Sequence, residues 1–161
     1  QNLSTGCPRI LIFLGGTPEL LQFTQSIEKQ ATLRYIIAMS DVNLQTLTQA
    51  GMSRHAPVIA TQVVPMVNSN VPVVRSYRET LSRLFDEPAT PQGLAGFIAT
   101  RYAFEAMQNI DGPVTRANLM LALQRRSSTD LGGFRIDLGG KRRSGSYVTQ
   151  SMIANDGRIV G

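Results

Sequence analysis

Two short turns carry the side chains best suited to holding a small polar molecule. Gly15-Gly16-Thr17 follows one apolar run and opens a helical pattern, and Ser40-Asp41 follows the next apolar run. Backbone N–H groups at the first turn can hold an anion or a ligand carboxylate at the helix start. At the second turn, a hydroxyl and a carboxylate can bond a small polar ligand, and Asp41 can pair with an ammonium group. The same residues also have a purely structural reading. In it Thr17 caps its helix after a glycine turn, and Ser40 or Asp41 caps the next one. Gln92, beside Pro91 and just ahead of a later helix, can reach a ligand or serve as a cap or turn. Gly16, Thr17, Ser40, Asp41 and Gln92 are the candidate ligand contacts.

Groups for covalent or metal chemistry are scarce. Cys7 is the only cysteine, so no internal disulfide or cysteine-rich metal site can form. His55, the only histidine, falls in an Arg54-His-Ala-Pro turn, and nothing ties it to Cys7. A cysteine nucleophile needs such a base. There is no Gly-x-Ser-x-Gly elbow, no phosphate-loop motif and no three-glycine dinucleotide fingerprint. Glu79, Glu87 and Glu105 sit on separate elements and read as helix-surface or cap residues. The chain reads as non-enzymatic, with no cofactor and no metal. A small α/β hydrolase using His55 is the minor alternative.

The elements that must position these turns follow from periodicity. Arg9–Leu14 is a short continuous apolar run, as a strand buried on both faces is, Tyr35–Met39 is a second apolar strand, and Pro57–Val64 is a third strand candidate. Leu20, Leu21, Thr24 and Ile27 line one face of a helix after the first run, and a second helix is expected over about 43–50. The order β-α-β-α-β calls for a parallel sheet with covering helices. Residues 65–71 break the rhythm and read as a hinge. Val73, Val74, Tyr77, Leu81 and Leu84 recur at helical spacing, as do Leu94, Phe97, Ile98, Tyr102 and Met107. Tyr77 and Tyr102 read as packing residues on those faces. Thr115 can cap a third helix carrying Leu119, Met120 and Leu123. Phe134–Leu138 then alternates, and with 147–153 it predicts two adjacent antiparallel strands. Asn155–Arg158 is a turn signal.

Net charge is +5, and 14 of the 16 basic residues are arginine. Twelve basic and eight acidic groups fall in residues 71–161, against four and three in residues 1–70. Lys141-Arg142-Arg143 is the densest cluster and reads as a solvated turn. Aromatics are sparse and do not interleave with the basic residues, which argues against a nucleic-acid surface. No apolar run is long enough to cross a membrane. The start lacks the order of an export signal, as a mature exported chain would.

Several stretches together resemble one family. They are Leu14-Gly-Gly-Thr-Pro-Glu-Leu20, Ile59–Pro65, Val73–Arg78, Gly93–Ile98, Leu131-Gly-Gly-Phe-Arg-Ile136, Arg143–Ser146 and Asp156-Gly-Arg158. In order and spacing they resemble the carboxyl-terminal part of type 1 periplasmic binding proteins, the receptors of branched-chain amino acid ABC transporters. The resemblance implies an α/β fold with part of two lobes present and the first-lobe sheet absent. It implies that 9–64 is the later half of the second lobe and that 65–71 is a crossover. Residues 72–125 would be first-lobe helices, and 131–161 strands returning to the second lobe. It also implies a periplasmic receptor for a small amino acid or related polar ligand, acting with a membrane ABC permease. The missing half, or self-association, would complete it. A cytoplasmic amide or amino-acid sensor of the same fold is the alternative. The family often places an aromatic near the first turn and an acid near the second. Thr17 and Ser40 depart from that pattern, with Asp41 adjacent.

Overall fold

A computed structural model describes residues 8–28, 33–52, 56–84, 86–126, 128–137, 147–154 and 156–161. Cys7, His55, Lys141–Arg143 and Arg143–Ser146 lie outside the described residues. The chain divides into two compact units, one of residues 1–62 with 148–161 and one of residues 63–147.

The first unit is built around a five-stranded sheet. Its parallel part is β1 (Ile10–Phe13), β2 (Tyr35–Ala38) and β3 (Val58–Gln62), and β6 (Thr149–Ile153) and β7 (Ile159–Val160) add antiparallel strands. The order is β1-β2-β3-β6-β7, so the sheet is mixed. Helix α1 (Thr17–Ile27) follows β1, and the shorter α2 (Leu44–Gln49) follows β2. The β-α-β-α-β order expected for this half is present. Leu20, Thr24 and Ile27 recur every third or fourth residue and are the buried face of α1. Together with Leu44 and Leu47 of α2 they pack on Ile36, Ala38, Val58 and Ala60 of the strands. Burying each of the larger aliphatic side chains contributes about 1.5–3 kcal/mol. The buried hydroxyl of Thr24 donates to the Leu21 carbonyl at 2.9 Å, so burial leaves it satisfied.

The second unit is mainly helical. It holds α3 (Pro72–Leu84), α4 (Pro91–Gln108), α5 (Arg116–Arg125) and a small hairpin of β4 (Thr129–Asp130) and β5 (Arg135–Ile136). Thr90 and Thr115 cap α4 and α5, each accepting from a backbone N–H three residues on. Val73, Val74 and Tyr77 of α3 join Leu94, Ile98 and Tyr102 of α4 with Leu131 and Phe134 in one core. Both tyrosines are packing residues. Helix α5 buries none of its side chains completely.

One expectation is corrected here. Among the described residues, 134–137 and 147–153 do not pair as strands with each other. Gly132 and Gly133 have positive φ (+68° and +83°) and let Leu131–Phe134 close a tight loop, with Leu131 N–H donating to the Phe134 carbonyl. Arg135–Ile136 therefore finds its partner locally, in β4. Residues 149–153 pair instead with the free edge of β3. Among the described residues no helix is long and apolar enough to cross a membrane.

Candidate functional site

The candidate contacts of the first unit lie in the loops at the carboxyl ends of β1 and β2. In open α/β sheets that end is where ligands collect. Gly16 is the N-cap of α1, Thr17 is its first residue and Pro18 its second. Thr17 does not cap its own helix, because it already stands inside the first turn. Its Oγ1 instead accepts the Asn43 N–H at 2.9 Å, across 26 residues of sequence. That bond ties the β1–α1 loop to the β2–α2 loop and places the two candidate turns beside each other.

Asn43 also resolves what Ser40 and Asp41 do. Its Oδ1 accepts the N–H groups of Gln45 and Thr46 at 3.0 and 3.2 Å, making Asn43 the cap of α2. Neither Ser40 nor Asp41 is the N-cap of that helix. They stand in a turn closed by the Val42 N–H on the Met39 carbonyl. Ser40 is half-buried and Asp41 is exposed. Sequence reading passed over Asn43. Its signal was present as an Asn immediately before a Leu-x-x-Leu helical pattern.

Glu19 is a second residue that sequence reading did not weigh. A Cβ built on Gly16 would stand 2.9 Å from Glu19 Oε2, so the carboxylate lies over the loop. An acid in the first turn of a helix already complements the positive end of its dipole. A ligand carboxylate at Gly16–Thr17 would meet that charge, which disfavours the anion expected there. A cation or a neutral hydrogen-bond donor suits the loop better. Thr61, near the end of β3, donates to the Ala38 carbonyl at 3.5 Å, so the ends of β2 and β3 are joined too.

Gln92 belongs to the other unit, where it is exposed at the start of α4. Two clefts, one within each unit, contain none of the five candidates. One, of about 630 Å³, includes Tyr35, Met52, Pro57, Met152 and Asp156, near the amino-terminal ends of β2 and β3. The other, of about 520 Å³, lies by the end of α4 and α5 and includes Asn109, Asn118 and Arg125. At the rim of the first cleft, the Arg158 backbone N–H and then its guanidinium bond Asp156, holding that carboxyl below its ordinary value. Among the described residues no group of three or more His, Cys, Asp or Glu side chains is placed to hold a metal ion.

No protein-family model matches the chain, and no curated protein does. Solved structures do match. An extracellular ligand-binding receptor from Verminephrobacter eiseniae ef01-2 superposes with a TM-score of 0.84 at 23% identity, over 97% of this chain and 45% of that one. A possible leucine/isoleucine/valine-binding protein from Rhodopirellula baltica SH 1 gives 0.82 at 24%, over 96% and 43%. A substrate-binding periplasmic protein from Ralstonia solanacearum gives 0.81 at 18%, over 94% and 45%. The chain thus spans less than half the length of each of these proteins. What it shares with them is the fold, that of the type 1, Leu/Ile/Val-binding-protein-like solute-binding proteins.

Proposed function

We propose that this chain is part of an extracytoplasmic solute-binding receptor that closes two lobes over a small amino acid or related polar ligand. In this reading the receptor is non-enzymatic and delivers its ligand to a membrane ABC permease. Gly16, Thr17, Ser40 and Asp41 are the candidate contacts carried by the sheet-bearing unit, and Gln92 is the candidate contact carried by the helical unit. The observation that carries the reading is the Thr17–Asn43 bond, which sets two candidate turns side by side at the carboxyl ends of parallel strands. The fold likeness supports it, and so do the names of the proteins that share the fold. Closure is a population shift driven by ligand contacts on both sides.

Glu19 and Asp41 give these contacts an orientation preference. The ligand presents an ammonium or amide N–H to these loops, and its carboxylate faces elsewhere. Calorimetric titration of the protein from the whole reading frame, with small amino acids and their amides, tests this. One-site binding is expected, with Asp41→Asn weakening an ammonium-bearing ligand by about tenfold or more. The midpoint of thermal unfolding without ligand should stay unchanged, because Asp41 is exposed. Failure of every amino acid and amide to bind would remove the receptor reading. Binding that is indifferent to Asp41→Asn would remove the site from this turn.

A further inference from the structure

The chain contains two Asp-Gly pairs, Asp111-Gly112 and Asp156-Gly157, and both are exposed. Such a pair can react with itself. The glycine nitrogen stands close to the aspartyl Cγ, and glycine has no Cβ to hinder the approach. The reaction needs a backbone nitrogen that is not committed as a donor and a carboxyl that its neighbours do not hold. One pair meets both conditions and the other meets neither.

At Asp156-Gly157 both groups are engaged. Asp156 Oδ1 accepts the Arg158 N–H at 3.0 Å, and its Oδ2 accepts from Arg158 Nε at 2.6 Å. Hydrogen bonds between charged groups are the stronger class. The Gly157 N–H donates to the Ala154 carbonyl at 2.9 Å. The Ala154 N–H donates in turn to the Arg158 carbonyl at 2.8 Å, closing the turn between β6 and β7. That turn must open before the Gly157 nitrogen can reach Asp156 Cγ. Asp111-Gly112 lies instead in the connection from α4 to α5. The Asn109 and Ile110 N–H groups close the end of α4, and Thr115 caps α5. Between those fixed ends, neither the Asp111 carboxylate nor the Gly112 N–H has a hydrogen bond or ion pair among the described residues.

We propose that Asp111 is a site of spontaneous isomerisation to isoaspartate, and that Arg158 protects Asp156 from the same reaction. The Gly112 nitrogen gives up its proton and bonds Asp111 Cγ, and a carboxyl oxygen leaves as water, closing a cyclic imide. Water then adds back. Breaking the bond from Cγ to nitrogen restores aspartate. Breaking the bond from the main-chain carbonyl carbon to nitrogen leaves the backbone running through Cγ. The water lost is the water regained, so composition is unchanged and no oxidant or cofactor takes part. The isomer has one more methylene in its backbone and a carboxylate one carbon nearer the chain. Asp111 lines the cleft of about 520 Å³ together with Asn109 and Arg125, so the change falls in the wall of that cleft. The inference does not depend on the ligand reading.

The test incubates the protein encoded by the whole reading frame at neutral pH and body temperature, beside a sample in denaturant. Peptide mass spectrometry with fragmentation that separates isoaspartate from aspartate then follows both positions. In denaturant the two pairs should isomerise at similar rates. In the folded protein Asp111 should keep most of that rate, and Asp156 should fall behind it by about tenfold or more. Equal rates in the folded protein would overturn the proposal. So would isoaspartate at Asp156 alone, or isoaspartate at Asp111 only in denaturant. Arg158→Ala gives an independent readout. Arg158 is exposed, so the fold should stand, and the rate at Asp156 should rise by about tenfold while Asp111 is unaffected. No rise at Asp156 would remove Arg158 as the protecting group.

Discussion

Two diglycine turns in this chain look alike in sequence and differ in physics. At the end of β1, Gly16 has φ −86° and ψ −177°, extended backbone that any residue adopts. A Cβ there would crowd the carboxylate of Glu19, the movable end of a long side chain, and otherwise make an ordinary contact with Pro18 Cδ at 3.7 Å. Gly132-Gly133 is the opposite case. Both residues are left-handed, and a Cβ on Gly132 would stand 3.2 Å from the backbone nitrogen of Val73. The Gly132 carbonyl accepts that same N–H at 3.0 Å, satisfying a donor of the first turn of α3. The second pair is therefore required by the fold, whereas Gly16 is not. A glycine that the fold does not require, at the carboxyl end of a parallel strand, is free to serve close approach by a ligand.

The largest effect that would sharpen this contrast is Gly132→Ala. It combines a left-handed alanine with crowding of the α3 start, at an expected cost of about 2–3 kcal/mol. Denaturant unfolding of the 161-residue chain would measure it. A cost under about 0.5 kcal/mol would mean that the loop relaxes freely and that the two pairs are not different in kind. Gly157 separates the two causes. Its φ is +82°, yet the nearest atom to an added Cβ is Thr48 Cγ2 at 3.9 Å, so handedness acts there without crowding. Gly157→Ala should cost about 1 kcal/mol. The same turn carries a weak dependence on pH. Asp156 is depressed in the folded state, so its contribution is present above the ordinary carboxylate value of about 3.9 and is lost as pH falls through the depressed value. Comparison with Asp156→Asn should show any difference closing in acid.

The contrast also explains how much could be read from sequence. Strands β1–β3 and the helices between them were legible because a run such as Ile10–Phe13 or Tyr35–Ala38 needs only local composition. Thr90 and Thr115 behave as side-chain caps because capping is decided within three residues. Pairing was less legible. The partner of β6 is β3, about 90 residues away, and the register that sets Ile59 opposite Met152 is fixed by tertiary packing. At the candidate site, Gly16 is the N-cap of α1 and Thr17 its first residue, and Ser40 and Asp41 stand in the turn after β2, positions that the order of apolar runs already indicated. What joins their loops, the Thr17 hydroxyl on the Asn43 N–H, is a contact across 26 residues that no local pattern announces. That β1 is exposed at Ile10 and Ile12, where a strand buried on both faces was expected, was hidden for the same reason. A buried strand and one exposed on a single face read alike when every residue in the run is apolar.

The smallest expected change in stability is the most informative about function. Gly16→Ala should alter the unfolding free energy by less than about 0.5 kcal/mol, since the backbone is ordinary there and Glu19 can move aside. In the protein from the whole reading frame, the same substitution should weaken ligand binding by about tenfold, equivalent to about 1.4 kcal/mol. At the proposed site the added methyl would stand in the ligand's approach to the Gly16–Thr17 backbone, and it would push the Glu19 carboxylate out of its place over the loop. Calorimetric titration and denaturant unfolding on the same preparation separate the two quantities. A loss of both together would make Gly16 another structural glycine and erase its contrast with Gly132. A loss of neither would move the ligand away from the β1–α1 loop and leave the β2–α2 turn with Asp41 as the contact to pursue.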